Sequence, residues 1–182
     1  MRRHIRFSKS CREAGFSVIE LMVVIVITTL ILVVAMPPIK RHARTMSLRK
    51  GSEMIAGTLR LARQRAVATD KDVVVVFDSS NGTFLLFEDA DGDGSQGSGE
   101  TVAGPYDVPD KITIGDVSFS SETVTFHPRG SASQTGAVVL VNNLERLAQR
   151  VDLTAATGLV YVSDIYAYEE GTDAGYGEGG NR

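Results

Sequence analysis

Apolar residues form one long run near the start of the chain, and no charged side chain occurs among the nineteen residues from Leu21 to Ile39. At about 1.5 Å per residue, a helix of this length covers about 28 Å, which is close to the hydrocarbon thickness of a bilayer. The run is longer than the apolar region of a cleaved signal peptide, and no small-residue cleavage pattern ends it. The pattern therefore predicts a membrane-spanning helix over residues 16–39.

After this run the apolar positions recur with a helical period, which predicts an amphipathic helix over residues 40–69. Its apolar face is expected to pack on a sheet. The arginines at 60–65 fall mainly on other faces, and two interpretations of them stay open: a solvated surface, or contact with acidic groups of neighbouring subunits. The apolar positions follow seven-four-three-four spacing: Leu48, Ile55, Leu59, Ala62 and Ala66.

Beyond Thr69 the pattern becomes that of β-strands. Residues 72–78 and 83–88 flank the turn sequence Ser-Ser-Asn-Gly, which predicts a hairpin. A helix followed by antiparallel strands predicts an α+β fold, with one domain over residues 40–163 whose β-rich part begins at residue 70. The Gly-rich, acidic residues 164–182 are predicted to be disordered. Further strands are predicted at 101–106, 111–119, 122–127, 137–142, 149–154 and 158–163.

Charge is distributed unevenly along the chain. Residues 1–15 carry a net charge of +4 and residues 40–65 a net charge of +7, whereas residues 70–182 contain six basic and nineteen acidic side chains. A basic leader before the apolar run predicts a cytoplasmic N-terminus and an exported C-terminal part, although the cations after residue 39 oppose this orientation. The acidic C-terminal part argues against general phosphate binding. The single cysteine, Cys11, excludes a disulfide within the chain.

One carboxylate, Glu20, lies at the start of the apolar run. An ionised carboxylate in hydrocarbon costs several kcal/mol, and such residues usually have a function. The alternative is a carboxylate at the level of the lipid headgroups that has no role.

The residues around Glu20 resemble the class III signal of type IV pilins and of the pseudopilins of type II secretion. A basic leader ends in Ala14-Gly15 and is followed by Phe16, Glu20 and the apolar helix. The resemblance implies that a prepilin peptidase removes residues 1–15 by cutting after Gly15, and that Phe16 becomes N-methylated. Glu20 would then pair with the N-terminal ammonium of a neighbouring subunit, because a buried carboxylate is tolerable beside a cation. Pro37 matches the family's helix-loosening proline.

Three further segments resemble the GspH/FimT family of minor pseudopilins and minor pilins: residues 60–78, 87–100 and 125–132. This resemblance implies a pilin-like fold in which a long N-terminal helix, half membrane-embedded and half amphipathic, packs on an antiparallel β-sheet. It also implies a single-pass protein of the bacterial inner membrane with a periplasmic C-terminal domain, surrounded by membrane lipid before assembly. The implied partners are the prepilin peptidase, other pseudopilins or pilins, and the inner-membrane assembly platform.

Two functions follow from the resemblance. The first is a structural minor pseudopilin of a type II secretion system, assembled into a periplasmic pseudopilus that drives protein export. The alternative is a minor pilin of a type IV pilus, acting in pilus initiation, adhesion or DNA uptake. DNA-binding members share a G-R-x-R motif, but the matching place reads Gly158-Leu159-Val160-Tyr161 and precedes an acidic tail, so a DNA partner is disfavoured. A third class, an unrelated single-span protein, predicts no cleavage after Gly15.

Residues 89–100 fit the calcium-loop pattern D-x-[DN]-x-[DN]-G-x5-E, which makes calcium the one candidate cofactor, although the predicted functions require none. The flanking residues are predicted to be strands rather than helices, and Gln96 takes a position that is usually apolar. Because Asp and Gly also suit ordinary turns, a solvated acidic loop is the alternative. The candidate ligands are Asp89, Asp91, Asp93 and Glu100, with the carbonyl of Ser95.

No catalytic motif of the metalloprotease, serine-hydrolase or P-loop type occurs in the sequence, so the chain is not expected to be an enzyme. Of the three histidines, His4 lies in the leader, His42 lies among basic residues, and His127 is expected at a strand end.

Overall fold

The computed structural model describes residues 15–168, with the side chains of residues 34–41 outside that description. All of the predicted leader (residues 1–15) except Gly15, and the part of the predicted tail (residues 164–182) beyond residue 168, lie outside the described residues. The chain divides into two compact units, Met1–Lys40 and Arg41–Arg182.

A single long helix, α1, extends over Val18–Thr69. In the first unit its described side chains are exposed from Val18 to Val33. Within the part of the chain that the structure describes, no helix combines the length and the apolar character needed to cross a membrane.

In the second unit α1 is amphipathic, as the spacing predicts. All five apolar positions of the predicted stripe are 0% exposed. Ser52 is also buried among them, and its hydroxyl donates to the Leu48 carbonyl at 3.2 Å, so the polar group is satisfied inside the helix. After Thr69 the backbone of Asp70 takes a left-handed conformation with φ of 56°, which ends the helix and leads into the first strand.

Within residues 15–168, nine antiparallel strands follow α1, and they form two sheets. Eight of them lie where the sequence predicts strands, with ends that differ by a few residues. The strands are β1 (Asp72–Asp78), β2 (Thr83–Asp89), β3 (Val102–Asp107), β4 (Thr113–Val117), β5 (Thr123–Phe126), β6 (Gly136–Asn142), β7 (Leu147–Thr154), β8 (Leu159–Val162) and β9 (Tyr166–Ala167).

Sheet A has the strand order β3-β2-β1-β5 and contains the predicted hairpin. At the hairpin turn, the backbone and side-chain N–H groups of Asn81 donate to the Asp78 carboxylate at 2.8 and 2.6 Å. These hydrogen bonds stabilise the ionised form and hold the pKa of Asp78 below its ordinary value.

Sheet B has the order β4-β6-β7-β8, and β9 pairs with β7 beside β8. In this pairing Leu147 lies opposite Ala167 and Ala148 lies opposite Tyr166. The predicted disorder from residue 164 onward is therefore wrong for β9. A strand of two residues is too short to produce a periodic pattern, so only its pairing with β7 reveals it.

One hydrophobic cluster joins α1 to both sheets, which confirms the α+β fold with the amphipathic half of the helix packed on antiparallel strands. The helix contributes leucine, isoleucine and alanine side chains, and the sheets contribute phenylalanine, leucine and valine side chains. Among the largest fully buried side chains of the sheets are Phe84, Phe87, Phe126, Leu86, Leu140 and Leu153.

Candidate assembly and calcium sites

The predicted cleavage point lies just before α1. Residues 15–17 are not helical, and the N–H of Leu21 bonds to the Ser17 carbonyl at 3.1 Å in the first turn. Among the described residues, and leaving out the chain neighbours of Gly15, no atom lies within 4 Å of where a Cβ on Gly15 would be, and Phe16 is 81% exposed. The described part of the domain therefore does not cover the predicted processing site, and cleavage there stays a prediction.

Glu20 lies in the first turn of α1 and is exposed. A carboxylate in this turn interacts favourably with the positive end of the helix dipole. Among the side chains that the structure describes, none forms an ion pair with Glu20. The carboxylate is therefore free to meet a cation from outside the described chain.

The surface around Glu20 is apolar on every side of the helix. The only hydroxyls within residues 18–33 belong to Thr28 and Thr29, and each donates to a carbonyl one turn earlier, of Val24 and Ile25 respectively. The polar groups are thus satisfied inside the helix. Residues 18–33 therefore expose apolar side chains on every face of the helix, which is the pattern of a segment that is buried against a partner.

Pro37 and Pro38 both lie within the helical range of α1. Their side chains fall outside the described residues, so the loosening of the helix at Pro37 stays a prediction.

The acidic loop begins where strand β2 ends. Carboxylate oxygens of Asp89, Asp91 and Asp93 lie within 4.8 Å of one another. Ligands on opposite sides of a calcium ion are separated by about twice the Ca–O distance of 2.3–2.6 Å, so this spacing fits the ion.

Backbone N–H groups hold these carboxylates in place. Asp89, which is 7% exposed, accepts from Gly92 at 2.7 Å and from Gly94 at 2.9 Å. Asp93 accepts from the Ser95 N–H at 2.7 Å. Gly94 has φ of 73°, a conformation that glycine adopts without strain, which explains the glycine at the sixth position of the loop.

Glu100 does not belong to this group of three carboxylates. Its two oxygens accept hydrogen bonds from the Ala90 N–H at 2.9 Å and the Gly97 N–H at 2.7 Å. Glu100 therefore closes the loop by joining its two ends. The structure brings together three of the four predicted side-chain ligands.

Two arginines of α1 contact backbone carbonyls in the β-rich part of the domain. The charge pattern of the sequence did not predict these contacts. Arg63 Nε donates to the Gly130 carbonyl at 2.9 Å, and Arg60 Nη2 lies 3.4 Å from the Val160 carbonyl. Since Val160 belongs to the edge strand β8, Arg60 covers one of its backbone acceptors. These side chains thus have structural contacts in addition to their exposed surface.

Of the histidines, His127 follows β5 as predicted, and its Nδ1 lies 3.0 Å from Asp72 Oδ1. The contact joins the end of β5 to the start of β1. His127 therefore links two strands that are paired in sheet A.

Comparison with known proteins gives two family-model matches. Residues 52–157 match the model described as type II transport protein GspH, and residues 10–36 match the prokaryotic N-terminal methylation motif. No curated protein sequence matches the chain.

Solved structures give further similarities. The minor pseudopilin EpsH from the type 2 secretion system of Vibrio cholerae shares 10% sequence identity, with 64% of this chain and 96% of that chain covered and a TM-score of 0.50. The type IV minor pilin FimU of Pseudomonas aeruginosa shares 16% identity, with 70% and 93% covered and a TM-score of 0.49. At such low identity the likeness to EpsH shows a common fold alone.

Proposed function

The chain belongs to the GspH family, and from this premise we propose that it is a structural minor pseudopilin of a type II secretion system. In this role it assembles into a periplasmic pseudopilus that drives protein export. The observation that carries the proposal is the family match over residues 52–157, which includes the last part of the amphipathic half of α1 and most of both sheets.

The N-terminal methylation motif supports a defined route into the fibre. Its match over residues 10–36 contains Gly15, Phe16 and Glu20. Such a motif implies processing by a prepilin peptidase and assembly with other pseudopilins or pilins. We infer that cleavage after Gly15 leaves Phe16 as the methylated N-terminus, and that the subunit waits in the inner membrane before assembly.

Glu20 acts in this scheme as the group that sets the position of a subunit along the fibre. Its carboxylate is exposed and is surrounded by apolar surface. Among apolar helices, an ionised carboxylate requires a cation, and the N-terminal ammonium of a neighbouring subunit supplies one. Pairing with that ammonium selects one stagger between adjacent helices.

A deletion strain complemented with the wild-type gene tests the proposed system. We expect loss of exoprotein release in the deletion strain, normal twitching and DNA uptake, and recovery of release on complementation. Loss of pili or of transformation with normal secretion would instead identify a type IV minor pilin. Absence of cleavage after Gly15, measured by mass spectrometry of the chain from membranes, would contradict both assignments.

We also propose that the loop over residues 89–100 binds calcium through Asp89, Asp91 and Asp93, with the Ser95 carbonyl. The proposal is supported by the spacing of the three carboxylates and by the backbone N–H groups that orient them. Calcium would neutralise the mutual repulsion of the three negative charges and stabilise the loop. The exported compartment supplies calcium at the millimolar concentrations that such weak sites require.

Calorimetry of the mature chain in detergent tests this site. We expect binding with a Kd of about 10⁻⁴ to 10⁻³ M, the range of extracellular calcium modules. Asp91→Ala should abolish the heat signal, and the exposed Asp164→Ala, outside the loop, should retain it. The absence of heat at millimolar calcium in the wild-type chain would leave only a solvated acidic loop.

A further inference from the structure

Asn81 and Gly82 lie in the turn between β1 and β2, and together they form a chemically reactive pair. Of the four asparagines in the chain, only Asn81 is followed by glycine. Asparagine is a thermolabile residue, and a following glycine has no side chain to hinder attack by its backbone nitrogen on the asparagine amide. Asn81 is also exposed, so water reaches the amide.

The reaction open to this pair is deamidation through a cyclic imide. The Gly82 nitrogen gives up its proton to a base in solution and forms a bond to Asn81 Cγ. The bond from Cγ to Nδ2 then breaks, and the nitrogen takes a proton from solvent and leaves as ammonia. Water opens the succinimide ring at either carbonyl, which leaves aspartate or isoaspartate at position 81. No electrons are transferred, and water is the only co-reactant.

The fold requires the glycine that makes the pair reactive. Gly82 has φ of 67°, a left-handed conformation that glycine adopts without strain. A Cβ on Gly82 would lie 3.3 Å from Val108 Cγ2, and the Gly82 carbonyl accepts a hydrogen bond from the Val108 N–H at 3.0 Å. A bulkier residue would slow the attack on the amide, but it would strain the turn.

Asp78 holds the amide that has to react. Its carboxylate accepts hydrogen bonds from the Asn81 backbone N–H at 2.8 Å and from Asn81 Nδ2 at 2.6 Å. Nδ2 is the atom that leaves as ammonia, so its bond to Asp78 has to break during the reaction. The lowered pKa of Asp78 keeps the carboxylate ionised, and an ionised carboxylate has no proton to give to the leaving nitrogen.

We propose that Asn81 is a site of spontaneous deamidation and that Asp78 slows the reaction by holding the amide in place. Conversion is slow while both hydrogen bonds persist and becomes faster when the turn opens locally. The product places a second carboxylate beside Asp78, where like charges repel, and isoaspartate also lengthens the backbone of the turn. Because Asp78 pairs with Thr83 at the end of the β1–β2 ladder, both changes weaken this end of the hairpin.

Incubation of the full chain in detergent at mildly alkaline pH, followed by peptide mapping with mass spectrometry, measures the conversion of amide to carboxylate. The chain contains its own control, because Asn143 is also exposed but is followed by Leu144. We expect Asn81 to convert, at a rate that rises with pH because the attacking nitrogen has to lose its proton. Asn143 should remain an amide, and equal conversion at Asn143 would contradict the role of Gly82.

Two variants of the same turn separate the effect of Asp78 from general loosening. Asp78→Ala removes both hydrogen bonds to Asn81 and should raise the rate of conversion several-fold. Glu122→Ala is the matched control, since Glu122 accepts from the Ser79 N–H at 3.0 Å, and this variant should convert at the wild-type rate. Circular dichroism checks that both variants fold. Equal acceleration in the two would overturn the protective role of Asp78, and an intact Asn81 in Asp78→Ala would overturn the site itself.

Discussion

The two halves of α1 are both helical and both rich in apolar residues, yet they expose them in opposite ways. In the first half, the large apolar side chains from Val18 to Val33 are between 50% and 77% exposed. In the second half, the apolar stripe from Leu48 to Ala66 is completely buried against the sheets. A periodic stripe is satisfied inside its own domain, whereas a continuous apolar surface requires a partner outside it. One half therefore forms part of the domain core, and the other leaves an apolar surface that we propose serves assembly.

Replacing the glutamate in each half of α1 by alanine should give the largest difference between the halves, measured as incorporation into the fibre. Glu20→Ala should leave cleavage after Gly15 intact and block incorporation into the fibre, because the apolar surface then contains no carboxylate to pair with a neighbouring ammonium. Glu53→Ala should assemble normally, since Glu53 is 58% exposed and lies 3.8 Å from Arg60 on a solvated face. Mass spectrometry measures processing, and fractionation of sheared fibres measures incorporation.

Normal incorporation of Glu20→Ala would show that Glu20 is an interfacial carboxylate without a role. Loss of processing in the same variant would place its effect before assembly.

Truncating one apolar side chain in each half should separate folding from assembly. Leu59→Ala should lower the free energy of unfolding by about 2–5 kcal/mol, because it opens a cavity among fully buried neighbours. Ile25→Ala should leave that free energy unchanged, since Ile25 is 57% exposed and leaves no cavity when it is shortened. Denaturant unfolding of the mature chain in detergent, followed by circular dichroism of the β-sheets, measures both.

An equal loss of stability in the two variants would contradict the division of α1. It would mean that the first half also packs in the folded subunit.

The smallest change in the free energy of unfolding is expected for a substitution on the solvated face of the second half of α1. Arg60→Ala removes an ion pair with Glu53 whose side chains are 49% and 58% exposed. Exposed pairs contribute about 0.2–1 kcal/mol, and salt screens them. The free energy of unfolding should fall by that amount in low salt and by less at 1 M salt. A loss above about 2 kcal/mol would instead indicate that the bond from Arg60 to the Val160 carbonyl protects the edge of sheet B.

Local patterns were enough to predict most of the fold. The stripe from Leu48 to Ala66, the hairpin around Asn81 and eight of the strands follow from periodicity and turn residues, because each depends on neighbours within one element. Strand β9 was missed because it has two residues and exists only through its pairing with β7.

The candidate calcium site was predicted in part. The spacing of Asp89, Asp91 and Asp93 places the three carboxylates on one side of a tight loop, and the structure has them together. The position of Glu100 depended on how the loop closes. Its oxygens bond to the N–H groups of Ala90 and Gly97, which a linear pattern does not reveal.

The sequence by itself determined the division of α1, the order of helix and strands, and the place of the processing motif, since these depend on the chemistry of adjacent residues. The tertiary structure decided which residues that are distant in the sequence contact one another. Arg44 contacts Glu145 across 101 residues of sequence, and Arg63 contacts Gly130 across 67. Such contacts depend on how the sheets pack on the helix, which no local pattern along the chain reveals.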